Sequence, residues 1–276
     1  MAIYILTLNW NGEERLKKLI PLLSKNMLDL QTKTKIPVRW LIKDNGSTDK
    51  SVEEIQKFDS SGFEEDPVDI YMTDHNRDSF AKGVNTLATK AKITDKDFIV
   101  LLNNDIEFLE EDSLFKMFSL MRKTKAGVVG ARLLYSNSNL LQHAGVIFSK
   151  KYNYLPFHFR PKHKTDKLAE KNRWFQAVTA ACCFVRGSSF NRINGMDEGF
   201  KWAFEDVDMC LAIGQKEKIA YCGNVKIYHE ESASLKKNPA NKLFLNQNIN
   251  HFRKKWAAKY SLDLELYEKD KNHNEI

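Results

Sequence analysis

No apolar run in this 276-residue chain approaches the roughly 20 residues that a membrane-crossing helix requires. Nor does any apolar stretch precede the first β-prone run, which opens at Ala2, so no secretory leader is expected and the chain reads as cytoplasmic. The inner membrane surface is the peripheral alternative, and the host cytoplasm applies if the source is viral. Cysteine is scarce: Cys182, Cys183, Cys210 and Cys222 form no CxxC pair and match no zinc spacing. Reduced, mostly buried thiols are therefore expected. Internal repeats, low-complexity tracts and linkers are also lacking, and the 42% apolar residues suffice for one large domain or two small ones. Acidic residues fall short of basic ones, 36 against 43, which leaves a charge of +7 and a pI near 9.0. The imbalance favours an anionic partner, although a solvated basic surface is its commoner cause.

What is present centres on Phe98 to Asp105, FIVLLNND, five apolar residues that stop on two amides and a carboxylate. Such a run predicts a strand buried on both faces, with Asp105 just beyond its carboxyl end. In an open α/β sheet ligands bind at that edge, so Asp105 is a candidate metal ligand; a helix-capping Asp is the plainer alternative. Ala2–Leu8, Val38–Ile42 and Val68–Thr73 read as further strands. Leu16, Leu19, Ile20 and Leu23 give one helix an apolar face, and Phe80, Val84, Leu87 and Ala91 give another. Pro21 predicts a kink or an early break, and Ser47, Thr48 or Asp49 is available as a helix cap. Four strands with helical returns predict an α/β fold of the doubly wound, nucleotide-binding kind. Beyond Met121 the strands 127–135, 144–148 and 178–185 lack regular helical returns and suggest an acceptor-shaping region. From Asp263 the polar sequence predicts a frayed tail.

Glu205, Asp206 and Asp208 stand at the start of a predicted helix in FKWAFEDVDMCL. Acidic residues favour that position for dipole reasons alone. Being adjacent, Glu205 and Asp206 cannot share a helix face, so one can cap while the other enters a pocket lined by Trp202 and Phe204. A carboxylate in that company has a raised pKa, as a general base near neutral pH requires. His229 ends a strand as Asp105 precedes a turn, and imidazole with carboxylate suits Mn²⁺ or Mg²⁺ when substrate phosphates complete the shell.

The segments LNWNG (8–12), DNGSTD (44–49), LLNND (101–105), QHAG (142–145), GMDEGF to FEDVDMCL (195–211) and IYHEES (227–232) together resemble family 2 glycosyltransferases, especially the rhamnosyl- and galactofuranosyltransferase branch. The resemblance implies a GT-A fold, a nucleotide-diphosphate sugar donor, a divalent metal, Mn²⁺ or Mg²⁺, and inversion at the anomeric carbon. It places Thr7, Leu8, Asn9, Asp44, Asn76, Lys82, Asn103 and Asn104 around the nucleotide sugar. Asp105 and His229 take the metal, Asp206 is the base, and Glu205 supports it. Trp202, Asp208 and His143 are expected on the acceptor side. Residues 1–125 would form the donor half, 126–235 the acceptor half of the same domain, and 236–276 a basic helix with a polar tail.

Two departures matter. The family's DxD signature reads Asn103, Asn104, Asp105, which implies weak metal affinity before the donor arrives. The usual glycine-rich segment appears as HNRDSFAKGVN, where Arg77 and Lys82 are cations facing either diphosphate or solvent. Between Lys150 and Arg173, basic residues interleave with Tyr152, Tyr154, Phe157 and Phe159, which suits sugar stacking, an anionic lipid or bases of nucleic acid. The expected acceptor is a cell-surface glycan or lipid-linked saccharide; a hydroxymethylated base in phage DNA and a catalytically silent binding module are the alternatives.

Overall fold

The computed structural model describes residues 1–73, 78–201, 203–230, 240–257 and 259–276. The first half runs β1 (Ile3–Asn9), α1 (Glu13–Thr34), β2 (Val38–Asp44), α2 (Ser51–Ile55), β3 (Val68–Met72), α3 (Phe80–Ala91) and β4 (Phe98–Leu102). β1 pairs in parallel with β2 and β4, and β2 with β3, as the alternation of strands and helices predicts. The second half runs β5 (Ile106–Phe108), α4 (Ser113–Thr124), β6 (Val128–Tyr135), β7 (Leu141–His143), β8 (Val146–Phe148), β9 (Pro156–His158), β10 (Arg173–Phe175) and β11 (Cys182–Arg186). It ends with α5 (Gly187–Arg192), α6 (Glu205–Gly214), β12 (Ile219–His229), α7 (Ala240–Trp256) and α8 (Leu264–Lys269).

One sheet crosses both halves in the order β10-β12-β6-β11-β4-β1-β2-β3. β11 runs antiparallel to β4 and β6, and β12 parallel to β6, so the ends of β4, β6 and β12 share an edge with those of β1 and β2. Successive strand residues face opposite sides. Accordingly Phe98, Val100 and Leu102 pack with α1 and α4, while Ile99 and Leu101 pack with α3 and α6. This double cover explains why all five residues of β4 are buried.

Three local expectations, the early break at Pro21 among them, come out differently. α1 runs unbroken for 22 residues through Pro21. An interior proline costs about 3 kcal/mol, whereas Leu16, Leu19, Ile20, Leu23, Met27 and Leu30 are all buried, each contributing about 1.5–3 kcal/mol. The tail is packed rather than frayed: Tyr267 is buried and stacks on Phe175 with centroids 4.5 Å apart. The buried guanidinium of Arg173 donates to the carbonyls of Lys271 and His273. The expected cap before α2 also differs, since Asp49 accepts from the backbone N–H groups of both Ser51 and Glu13 and so ties α2 to α1.

Candidate functional site

Polar side chains gather where β1, β2 and β4 end. Asn104 Nδ2 donates to Asn9 Oδ1 at 2.8 Å, and Asn9 Nδ2 donates to Asp44 Oδ1 at 2.8 Å. Ser47 closes the chain through its N–H and hydroxyl, both donated to Asp44 at 2.8 and 2.6 Å. Gly12 leaves room for this relay: a Cβ there would lie 2.3 Å from Asn9 Oδ1 and 2.5 Å from Asn104 Nδ2.

The relay is built from part of the expected nucleotide shell. Asn9 and Asp44 are buried and spend their side chains on one another, and Thr7 is buried with its hydroxyl accepting from Trp40 Nε1 at 2.9 Å. Leu8 packs under α3, where a Cβ on Gly83 would meet its methyls at 2.5 Å. Asn103 and Asn104 lie half-buried at the open edge. Lys82 is paired with Asp78 at 2.9 Å. Asp78 also holds Lys43 at 3.0 Å, a buried lysine that sequence reasoning passed over because it reads as one more turn residue after an apolar run. Asn76 and Trp202 lie outside the described residues.

Asp105 and His229 do meet: His229 Nε2 is 3.1 Å from Asp105 Oδ1. Asp105 Oδ1 is buried without a hydrogen-bond partner of acceptable geometry. The other ring nitrogen, Nδ1, lies 2.6 Å from Gln142 Oε1. An amide oxygen there takes the Nδ1 proton and leaves a lone pair on Nε2, as in imidazole ligands held by a second partner. An orphaned carboxylate oxygen facing that lone pair fits a divalent cation, whose adjacent octahedral ligands stand about 3 Å apart. Among the described residues no cluster of three or more His, Cys, Asp or Glu side chains forms, so further ligands would have to come from substrate or water. Gln142 is a partner of His229 that the motif reading missed; its QHAG context was visible, its partner was not.

Glu205 and Asp206 begin α6 after two residues with left-handed backbone, Ala203 at φ 68° and Phe204 at φ 72°. Such conformations cost about 1–3 kcal/mol each and persist only where surroundings enforce them. Here Asn248 of α7 supplies the clamp, donating to Ala203 O at 3.0 Å and accepting from Lys201 N at 3.2 Å. Asp206 accepts from the N–H groups of Val207 at 2.8 Å and Ala180 at 3.2 Å. Glu205 instead buries Oε2 without a partner. Burial first, and the charge of Asp206 second, push its carboxyl well above the ordinary range.

Two expected acceptor residues are placed otherwise. Asp208 is buried, accepting from Trp256 Nε1 at 2.7 Å and Lys255 Nζ at 2.8 Å, and it anchors α7 rather than facing an acceptor. His143 is fully enclosed, with Nε2 receiving the N–H groups of Gly145 and Thr179 at 3.3 and 3.4 Å. Thr179 opens a short hub: Ala180 N–H reaches Asp206, and Ala181 O accepts from Asn103 N at 2.9 Å.

The chain is similar to several known proteins. The chain is 23% identical over 242 residues to the N-acetylglucosaminyl-diphospho-decaprenol L-rhamnosyltransferase of Mycobacterium tuberculosis, covering 81% of this chain and 76% of that one. It is 28% identical over 149 residues to the O-antigen biosynthesis protein RfbC of Myxococcus xanthus, which covers 52% of this chain. It spans 12% of RfbC and 18% of another curated relative, the uncharacterized protein y4gI of Sinorhizobium fredii. GalNAc-T7 with UDP, GalNAc and Mn²⁺ superposes with a TM-score of 0.64 at 12% identity, covering 99% of this chain and 55% of that one. Staphylococcus aureus TarS 1-349 with UDP-GlcNAc gives 0.58 at 13% identity, covering 91% and 67%. The fold is GT-A. The family model described as Glycosyl transferase family 2 matches residues 4–207, and the chain belongs to that family.

Proposed function

We propose that the protein transfers a sugar from a nucleotide-diphosphate donor to an acceptor hydroxyl, with inversion, in a single displacement. The observation that carries this reading is the pairing of Asp105 Oδ1, buried and orphaned, with the Nε2 lone pair of His229 at the edge where β4 and β12 end. Asp105 and His229 would hold Mn²⁺ or Mg²⁺, which when bound supplies Lewis-acid stabilisation of the diphosphate leaving group. Asn103 and Asn104 border the donor there, and the relay through Asn9 and Asp44 keeps their edge in register. Across the hub at Thr179–Ala181, Asp206 takes the acceptor proton. Its second oxygen is steadied by the Ala180 N–H. Glu205, kept protonated by burial, places no second negative charge beside Asp206. No enzyme nucleophile is required.

The names of the rhamnosyltransferase and O-antigen relatives support a cell-surface glycan or lipid-linked saccharide as acceptor. No described helix is long and apolar enough to cross a membrane, which is consistent with work at the cytoplasmic membrane surface. Modified DNA gains nothing from those relatives. The test is release of nucleoside diphosphate from UDP-, dTDP- and GDP-sugars with Mn²⁺, with and without bacterial glycan-lipid extract. Stimulation by extract is expected; no consumption of any donor with any glycan or lipid acceptor would sink the reading. Asp206→Asn is expected to lower kcat about 10²–10⁴-fold, and unchanged turnover would remove Asp206 from the base role.

A further inference from the structure

A cavity of about 260 Å³ opens between the β8–β9 pair, the 160–168 segment and α8. Its floor is apolar, made by Ile147, Phe159, Leu264 and Tyr267. Its walls are cationic. Lys151 and Lys271 line it, and no described carboxylate pairs with either. Arg160 also lines it but is bound in two-pronged fashion by Asp166 at 3.0 and 2.7 Å, so its charge is largely answered. Glu268 is the acidic residue on the wall.

His158 stands on the cavity wall. His143 Nδ1 lies 2.7 Å from His158 Nδ1. Because His143 Nε2 already accepts backbone N–H groups, its proton sits on Nδ1 and points at His158 Nδ1. The same contacts lead inward, since Thr179, which donates to His143, is followed by Ala180, which donates to Asp206.

We infer that this cavity binds a phosphate group carried on an apolar chain, with Lys151 and Lys271 on the phosphate and the Ile147–Tyr267 floor under the chain. Unpaired cations above an apolar floor match both halves of such a ligand, and neither half alone uses all of the site. The exposed rings of Tyr154 and Phe157, in and beside β9, extend the apolar surface from its mouth. Within the proposed function the ligand is the phosphorylated lipid end of the acceptor, so the assignment rests on that reading for its role but not for its binding.

The test is equilibrium binding of farnesyl phosphate, farnesol and inorganic phosphate to the intact protein below micelle concentration, with UDP binding measured in parallel. Farnesyl phosphate is expected to bind at least tenfold more tightly than farnesol or phosphate. Lys151→Ala with Lys271→Ala should weaken it tenfold or more, and Phe159→Leu should weaken farnesol and farnesyl phosphate alike, all with UDP affinity unchanged. Equal binding of phosphate alone, equal binding of farnesol, or insensitivity to the lysine pair would each overturn the inference. Loss of UDP or donor binding with farnesyl phosphate binding intact would instead count against the proposed function and leave the cavity assignment standing.

Discussion

Glu205, placed beside the proposed base, carries a consequence for stability as well. Its carboxyl titrates above the ordinary 4.5 in the folded chain because burial and Asp206 disfavour the charge. The folded state therefore binds a proton that the unfolded state has released, so stability is full below the ordinary value and falls as pH rises toward the folded one. Glu205→Gln is expected to flatten that alkaline decline, read as thermal midpoints between pH 5 and pH 9. A decline as steep in the variant would dismiss Glu205 as its source. Gln142 acts through His229 alone. Gln142→Ala should weaken Mn²⁺ binding about 10–100-fold, measured by calorimetry in the presence of nucleotide, while Asp206 and the fold are left intact. Gly12→Ala tests the relay, since its new methyl would overlap Asn9 and Asn104; a loss on the order of 1–3 kcal/mol in denaturant unfolding is expected.

Elements differed in how far the sequence disclosed them. β1, β2, β3 and β4 were legible because each is a short apolar run ending on turn residues, and α3 because its apolar spacing is regular and Ser79 caps it through Lys82 N. Asp105 and His229 were legible through position, each lying next to a strand end. Asp208 and His143 were misplaced for a common reason: their partners are far away in sequence, Trp256 and Lys255 in one case, Thr179 and His158 in the other. Spacing cannot reveal such pairings. α7 is the element most dependent on them. Asp208→Ala leaves the buried indole N–H of Trp256 without its acceptor and should cost about 1.5–3 kcal/mol. Because α7 also clamps the left-handed turn at Ala203 through Asn248, kcat should fall more than KM rises.

At the scale of the whole molecule, the single sheet makes the two halves of the chain one folding unit, and the C-terminal segment belongs to it. Removing residues 263–276 would strip Arg173 of both carbonyl acceptors and Phe175 of its stacked partner Tyr267. The truncated chain is expected to melt at lower temperature in one transition, and a midpoint unchanged in calorimetry would show the tail to be dispensable. The hub at Thr179–Ala181 has a different consequence. Its three residues touch the enclosed histidine, the proposed base Asp206 and the exit of β4 at Asn103, beside the proposed donor edge, in consecutive steps. Peptide geometry sets those steps at about 3.8 Å each, so the chain itself acts as a ruler between the two reacting sides. A bulkier donor sugar cannot lengthen that ruler, and the acceptor must make the adjustment instead.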